Sequence, residues 1–339
     1  MGWPMDKNRP FSALVVSEET NGQFRRAIVQ RRIGDLPDNE VLVRVRYSSL
    51  NYKDALSATG NRGVTRHYPH TPGIDAVGTV EASASPQWRG GDEVLCTGYD
   101  LGMNTDGGFG QYIRVPASWL VRRPETLSPL ACMRLGTAGY TAGLCVLGLE
   151  DNGVLPARGP VLVTGATGGV GSIALMLLHR LGYEAVAVTG KASAHAYLRS
   201  LGAASVVDRQ ELLKDRDKQL LPARWAGVVD TVGGDLLAVA VKSTGFDGVV
   251  TLCGNAASAD LPLNVYPFIL RGVHLVGVYS ANSPMERRLR VWEKLAGEWR
   301  LDLEPISRVV SLQQLEMEIT AMLAGRTTGR CVVDLEAGA

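Results

Sequence analysis

The segment VLVTGATGGVGS, residues 161–172, constrains the fold more than any other stretch of the 339-residue chain. A short apolar run ends in a turn where Gly165, Gly168 and Gly171 recur at every third position, and a helical pattern over 172–181 follows at once. Glycines let the backbone turn sharply and come close to a pyrophosphate. The helix that begins there offers unbonded N–H groups and the positive end of its dipole. A glycine-rich turn is weak evidence alone, but between a strand and a helix it points to a nucleotide cradle.

Two other loops fit the same letters, and both fail. A Walker-type phosphate loop needs Lys after its last glycine, and Gly171-Ser172 has none. The TGxxxGxG of short-chain dehydrogenases opens the chain and is followed by a Tyr-xxx-Lys pair. Here 160 residues precede Val161, and neither Tyr266 nor Tyr279 has Lys four positions later. Around the cradle, apolar runs at 185–189, 205–207, 227–231, 248–252 and 274–278 alternate with helical stretches at 194–201 and from Asp235. Six such strands without hairpin signals predict a doubly wound parallel sheet of Rossmann type. Residues 11–135 read differently. Short Val-rich runs (41–47, PGIDAVGTVEA, GDEVLCTG) separated by Gly/Pro turns predict a β-rich, barrel-like domain, and GMNTDGGFGQ (102–111) a flexible loop. The tail shows helices over 286–299 and 312–324 and a strand over 330–335, expected to pack back on the first domain. The predicted organisation is an α/β chain with a catalytic domain over 1–135, completed by 281–339, and a dinucleotide domain over 136–280.

The end of the second strand of the sheet decides the cofactor. NAD sites place Asp or Glu there to bond the ribose hydroxyls. Here Thr189, Gly190 and Lys191 stand instead, and no carboxylate occurs between Glu184 and Asp208. A hydroxyl, a bare backbone and a cation suit a 2′-phosphate, and Arg209 after the third strand adds a second charge. NADPH is therefore expected.

A formal net charge of +1 gives no general drive toward nucleic acid or an anionic membrane. No apolar core of a leader follows MGWPMDKNRP, and Asp6 stands where a myristoylation signal at Gly2 wants Ser or Thr. No apolar run reads as long enough to span a bilayer, since 173–178 soon meets His179 and Arg180. A soluble, cytoplasmic protein is expected. Cys96, Cys132, Cys145, Cys253 and Cys331 show no CxxC pair, which argues against a disulfide framework and a structural zinc site. Each reads as a small buried apolar residue. The histidines show no ligand spacing, so no metal is expected.

SSLNYKDALSATG (48–60), PGIDAVGTV (72–80), GTAGYTAGLCVLGLE (136–150), TGATGGVGS, LGYEAVAVTGK, DTVGG (230–234) and PFILRGVHLVGV (267–278) occur in this order. Together they resemble the quinone-oxidoreductase-like branch of the medium-chain dehydrogenase/reductase superfamily. Within it the chain is similar to the YhdH/AcuI group of NADPH-dependent acrylyl-CoA reductases, over residues 13–333. The resemblance implies a GroES-like catalytic domain, a Rossmann domain and an active cleft between them. Zinc-dependent members carry Cys where Asn51 stands, His where Ile74 stands, and a four-cysteine lobe missing here. The family's cofactor contacts fall on Tyr52, Thr167, Gly168, Gly169, Val170, Thr189, Gly190, Lys191, Arg209, Asn255, Ile269 and Ser280. A homodimer is implied by the same analogy, through the strand at 274–278.

Conjugate reduction needs hydride at the β-carbon, charge held on the carbonyl oxygen and a proton at the α-carbon. Tyr52 is the candidate proton donor, with Asn51 and Asp54 as orienting groups. Tyr52 packing only against the nicotinamide is the competing reading. Arg62, Arg66 and His67, with Arg326 and Arg330, are candidate cations for CoA phosphates. One stretch departs from the family: TGYDLGMNTDGG (97–108) replaces an aromatic TGWGVGE-type loop that faces substrate. An NADPH:quinone or general enone reductase on the same fold, and a non-catalytic NADPH-binding protein, are the alternatives.

Overall fold

A computed structural model describes residues 6–337. The myristoylation question at Met1-Gly2 lies outside the described residues. The described residues form two compact units, 6–137 with 302–337, and 138–301.

In the first unit, alternation in Val41–Leu50 puts Val41, Val43 and Val45 into the main core, with Val80, Val94, Ile113 and Val333. This strand is the hub. It pairs antiparallel with Asp75–Ser83, Tyr112–Val115 and the tail strand Arg330–Asp334. Glu93–Thr97 and Val121–Arg122 extend the sheet on one side, and Ser307–Ser311 adds a parallel strand beyond Arg330–Asp334. Pro10–Glu18 and Phe24–Arg32 form a separate antiparallel pair. The β-rich reading and the return of the tail agree with the sequence analysis, although the strand at 307–311 was not foreseen.

The second unit holds six parallel strands: Val161–Val163, Ala185–Thr189, Ser205–Asp208, Trp225–Asp230, Thr244–Leu252 and His274–Gly277. Numbered in chain order they lie 3-2-1-4-5-6, the doubly wound arrangement. The strands are nearly continuous runs of buried Val and Ala, as a sheet covered on both faces requires.

Four expectations need correction. The chain re-enters the first unit at Asp302, not at 281. Helix Met285–Ala296 stays in the second unit because Val291 and Leu295 pack over Gly143, where an added Cβ would lie 2.6 Å from Val291 Cγ1. The helix Pro129–Asp151 is long and apolar enough to cross a membrane by length and composition, contrary to the reading of apolar runs. Most of it is buried, however, and it is broken at Gly136 (φ +51°, ψ −153°). The loop 102–111 owes its glycines to close packing rather than to freedom. A Cβ on Gly108 would lie 2.1 Å from the Asp75 carbonyl oxygen. Finally, Cys253 is only partly buried, whereas the other four cysteines are buried.

Candidate active site

In the first unit, the motif Asn51-Tyr52-Lys53-Asp54 opens the short helix Tyr52–Ser57. Asp54 is fully buried and caps the helix from inside. Its Oδ2 accepts from the Asn51 backbone N–H at 2.8 Å, and its Oδ1 accepts from the amides of Gly73 (3.2 Å) and Ile74 (2.8 Å). Tyr52, the first helical residue, is 48% exposed. The Asp54 carboxylate therefore sits out of solvent at the start of the helix that carries Tyr52.

Beside it lies a second buried carboxylate, Asp75. It accepts from Ser49 Oγ (2.6 Å), Asn51 Nδ2 (2.8 Å), Thr137 Oγ1 (2.6 Å) and the Thr137 amide (2.9 Å). Arg330, 2% exposed, closes the cluster. It donates to Asn51 Oδ1 (3.1 Å), Ser49 Oγ (2.8 Å) and the Arg134 carbonyl (3.0 Å), and lies 3.9 Å from Asp75 Oδ2. Asn51 is thus gripped at both ends of its amide. The break at Gly136 belongs to the same arrangement: a Cβ there would lie 2.5 Å from Asp75 Oδ2 and 2.6 Å from Ser49 Oγ.

Burial, reinforced by the neighbouring Asp75 carboxylate, pushes Asp54 up to about 7, against an ordinary Asp near ~4. A carboxyl group with a raised native pKa favours folding most below its unfolded value. That contribution is lost as pH rises toward the native value, by at most about 1.4 kcal/mol per pH unit. Asp54→Asn cannot ionise. Between pH 5 and 7.5 the Tm of the native chain is therefore expected to fall relative to that of the variant. A constant gap across this range would contradict the assignment.

The second unit gathers polar groups at the carboxyl ends of its strands. Gly171 packs against the phosphate turn so closely that a Cβ would lie 2.3 Å from the Gly165 carbonyl oxygen. Helix Gly169–Arg180 starts at Gly168 with no side-chain cap, so the amides around Thr167–Val170 keep no partner from a capping side chain. The turn is held from below by DTVGG. Asp230, buried, accepts from Thr164 Oγ1 at 2.6 Å and from the Gly233 amide at 2.9 Å. Thr231 bonds back to Thr164 through both amide and hydroxyl. Burial raises the Asp230 pKa above the usual carboxylate range. In the sequence DTVGG carries only the family resemblance, whereas the bonds of Asp230 and Thr231 to Thr164 and Gly233 make it the brace of the turn.

Gly190 meets Arg209 at the next strand end, where Thr189 pairs with Asp208. A Cβ on Gly190 would come 3.0–3.2 Å from the Arg209 guanidinium, so that cation covers the bare backbone. Asp208, which ends the third strand, is committed to the amide of Gln210 as a helix cap (2.7 Å). Lys191 is exposed, its amide bonded to Thr189 Oγ1. Asn255 lies next to the Gly233 turn, 3.3 Å from where a Gly233 Cβ would be. Ser280 follows the last strand, its carbonyl held by Arg288. A cavity of about 570 Å³ opens on this rim between Arg209, Leu213, Val232, Gly233 and Ser258. Ile269 stands apart. It is exposed on helix Tyr266–Arg271, whose last residue bonds the carbonyls of Lys242 and Thr244 at the start of the fifth strand.

Two candidate CoA cations are otherwise engaged. Arg330 is buried in the Asp75 cluster and cannot face a phosphate. Arg62 pairs with Glu18 and lies over the rings of Phe24 and Tyr68. Arg66, His67 and Arg326 are exposed. Among the described residues no three His, Cys, Asp or Glu side chains gather as metal ligands.

Comparison with known proteins places this geometry in a family. Residues 37–125 match the alcohol dehydrogenase GroES-like domain, and residues 169–296 the zinc-binding dehydrogenase domain. The chain is 45% identical to the acrylyl-CoA reductase AcuI of Ruegeria pomeroyi, over 96% of this chain and 100% of that one. It is 42% identical to Escherichia coli YhdH, solved with NADPH bound, at a TM-score of 0.92 over 96% of this chain and 100% of that one. It is 41% identical to Bacillus subtilis YhfP, solved with NAD bound, at a TM-score of 0.93 and the same coverage. The chain belongs to the AcuI/YhdH group of the medium-chain dehydrogenase/reductase superfamily.

Proposed function

We propose that this protein is an NADPH-dependent reductase that saturates the carbon–carbon double bond of a small α,β-unsaturated acyl-CoA, converting acrylyl-CoA to propionyl-CoA. The observation that carries this reading is the full-length 45% identity with an acrylyl-CoA reductase. The strand-end geometry supports NADPH over NADH: Arg209 covers Gly190, and Asp208 is engaged as a helix cap. Thr167–Val170 would hold the pyrophosphate, and Thr189–Lys191 with Arg209 the 2′-phosphate. Asn255, Ile269 and Ser280 would serve the nicotinamide half, and Tyr52 would add a contact there.

NADPH, when bound, supplies hydride to the β-carbon. Tyr52 then gives a proton from its phenol to the α-carbon. Asn51 and Asp54 set the start of the helix that carries it, and the Asp75–Arg330 cluster fixes Asn51. Tyr52→Phe is expected to lower kcat about 100-fold, the usual scale of a general acid, with little change in KM for NADPH. An unaltered kcat would remove the acid role and leave Tyr52 as a packing residue.

The reaction is tested by product analysis in D₂O with unlabelled NADPH. One deuterium at the α-carbon of propionyl-CoA and none at the β-carbon is the expected result. Reduction of a free quinone with no thioester turnover would favour the quinone reductase reading. We also propose a cytoplasmic homodimer. Strand His274–Gly277 supports this, because it ends the six-strand order and leaves one edge for a second copy.

A further inference from the structure

Lys53 was not singled out by sequence reasoning, yet its surroundings are unusual. It follows Tyr52 in the same helix and is only partly exposed. The one polar contact of its ammonium is Met103 Sδ at 3.9 Å, and among the described residues no carboxylate lies within ion-pairing distance. A partly exposed ammonium with no protein carboxylate beside it can take its anion from a ligand.

The loop carrying Arg66 and His67 is fixed to the same helix. Thr65 Oγ1 and Ser57 Oγ are 2.7 Å apart, and Tyr68 Oη donates to the Ser57 carbonyl at 2.7 Å. These two bonds bracket Arg66 and His67, and Ser57 lies one helical turn after Lys53, on the same face. A second link runs through the loop at 100–106. The Arg66 amide donates to Asn104 Oδ1 at 3.0 Å, next to the Met103 that touches Lys53. Both acids of that loop are engaged: Asp100 accepts from Asn104 Nδ2 and Thr105 Oγ1, and Asp106 pairs with Arg31 and accepts from the Thr71 amide. Lys53 and the exposed Arg66 and His67 thus border one loop tip, with both carboxylates of that loop occupied.

We propose that Lys53 and Arg66 form a receptor for the phosphates of the substrate's carrier group, and that they set the preference for a phosphorylated thioester. This rests on the acyl-CoA reading above and names the residues that would enforce it. The Met103–Asn104 tip lies inside the stretch that departs from the family pattern.

The test compares acrylyl-CoA with the acrylyl thioester of N-acetylcysteamine, which has the reacting group and no phosphate. For Lys53→Gln and for the exposed Arg66→Gln, the ratio of kcat/KM between the two thioesters is expected to fall about tenfold. Lys53→Arg should restore most of it. An unchanged ratio in both variants, or a rise in KM for NADPH in place of the fall, would overturn the proposal. A native enzyme with a ratio near one would instead overturn the acyl-CoA reading itself, before any variant is made.

Discussion

Replacing Arg330 by methionine is expected to lower stability by roughly 3–5 kcal/mol, the cost of removing one partner from a buried ion pair. The guanidinium is 2% exposed and donates to Ser49, Asn51 and the Leu50 and Arg134 carbonyls. Methionine fills much of the volume but leaves Asp75 with neutral donors only, and removes the charged donor from Asn51 Oδ1. Lysine would restore charge without the planar fork, so a partial recovery is expected. Thermal melts of Arg330→Met, Asp75→Asn and the double variant separate coupling from volume. If the account holds, the double variant loses less than the two single losses combined. Strict additivity would mean the two residues act independently. Because Asn51 starts the helix of Tyr52, the surviving fraction of Arg330→Met should also turn over more slowly.

The second large effect is on cofactor choice. Arg209→Gln is expected to lower kcat/KM for NADPH by about 10- to 100-fold, the scale of a charge-assisted bond to phosphate. NADH should be nearly unaffected, since its ribose bears no phosphate for the guanidinium to meet. The side chain is exposed, so folding should survive, and the melt of the variant checks this. Equal losses with both cofactors would mean that Arg209 supports the rim and does not read the 2′-phosphate. The related YhfP was solved with NAD bound, so this position is a direct place to compare the two proteins.

The parts readable in the sequence are those built from near neighbours. The phosphate turn is local: three glycines at a strand–helix junction and the residues just after the next strand. The same holds for the six strands, whose unbroken Val and Ala runs mark burial on both faces. Helix Pro129–Asp151 was missed because it is mostly buried, so its apolar residues show no single stripe. The Asp75–Arg330 cluster was missed for another reason. Its members come from strands far apart in the chain, and nothing in either local sequence marks one as the other's partner. Arg330 consequently read as a candidate cation for CoA phosphates. Lys53 looked ordinary for the converse reason: what distinguishes it is a missing carboxylate, which only packing can reveal.

The most direct measurement is steady-state oxidation of NADPH with acrylyl-CoA, run beside NADH, crotonyl-CoA and a simple benzoquinone. The account predicts efficient turnover of acrylyl-CoA with NADPH, and at least tenfold weaker turnover with NADH in its place. Turnover of the quinone without the thioesters would contradict the assigned substrate. Equal use of NADH would contradict the reading of Thr189, Gly190 and Arg209 on which the cofactor assignment rests.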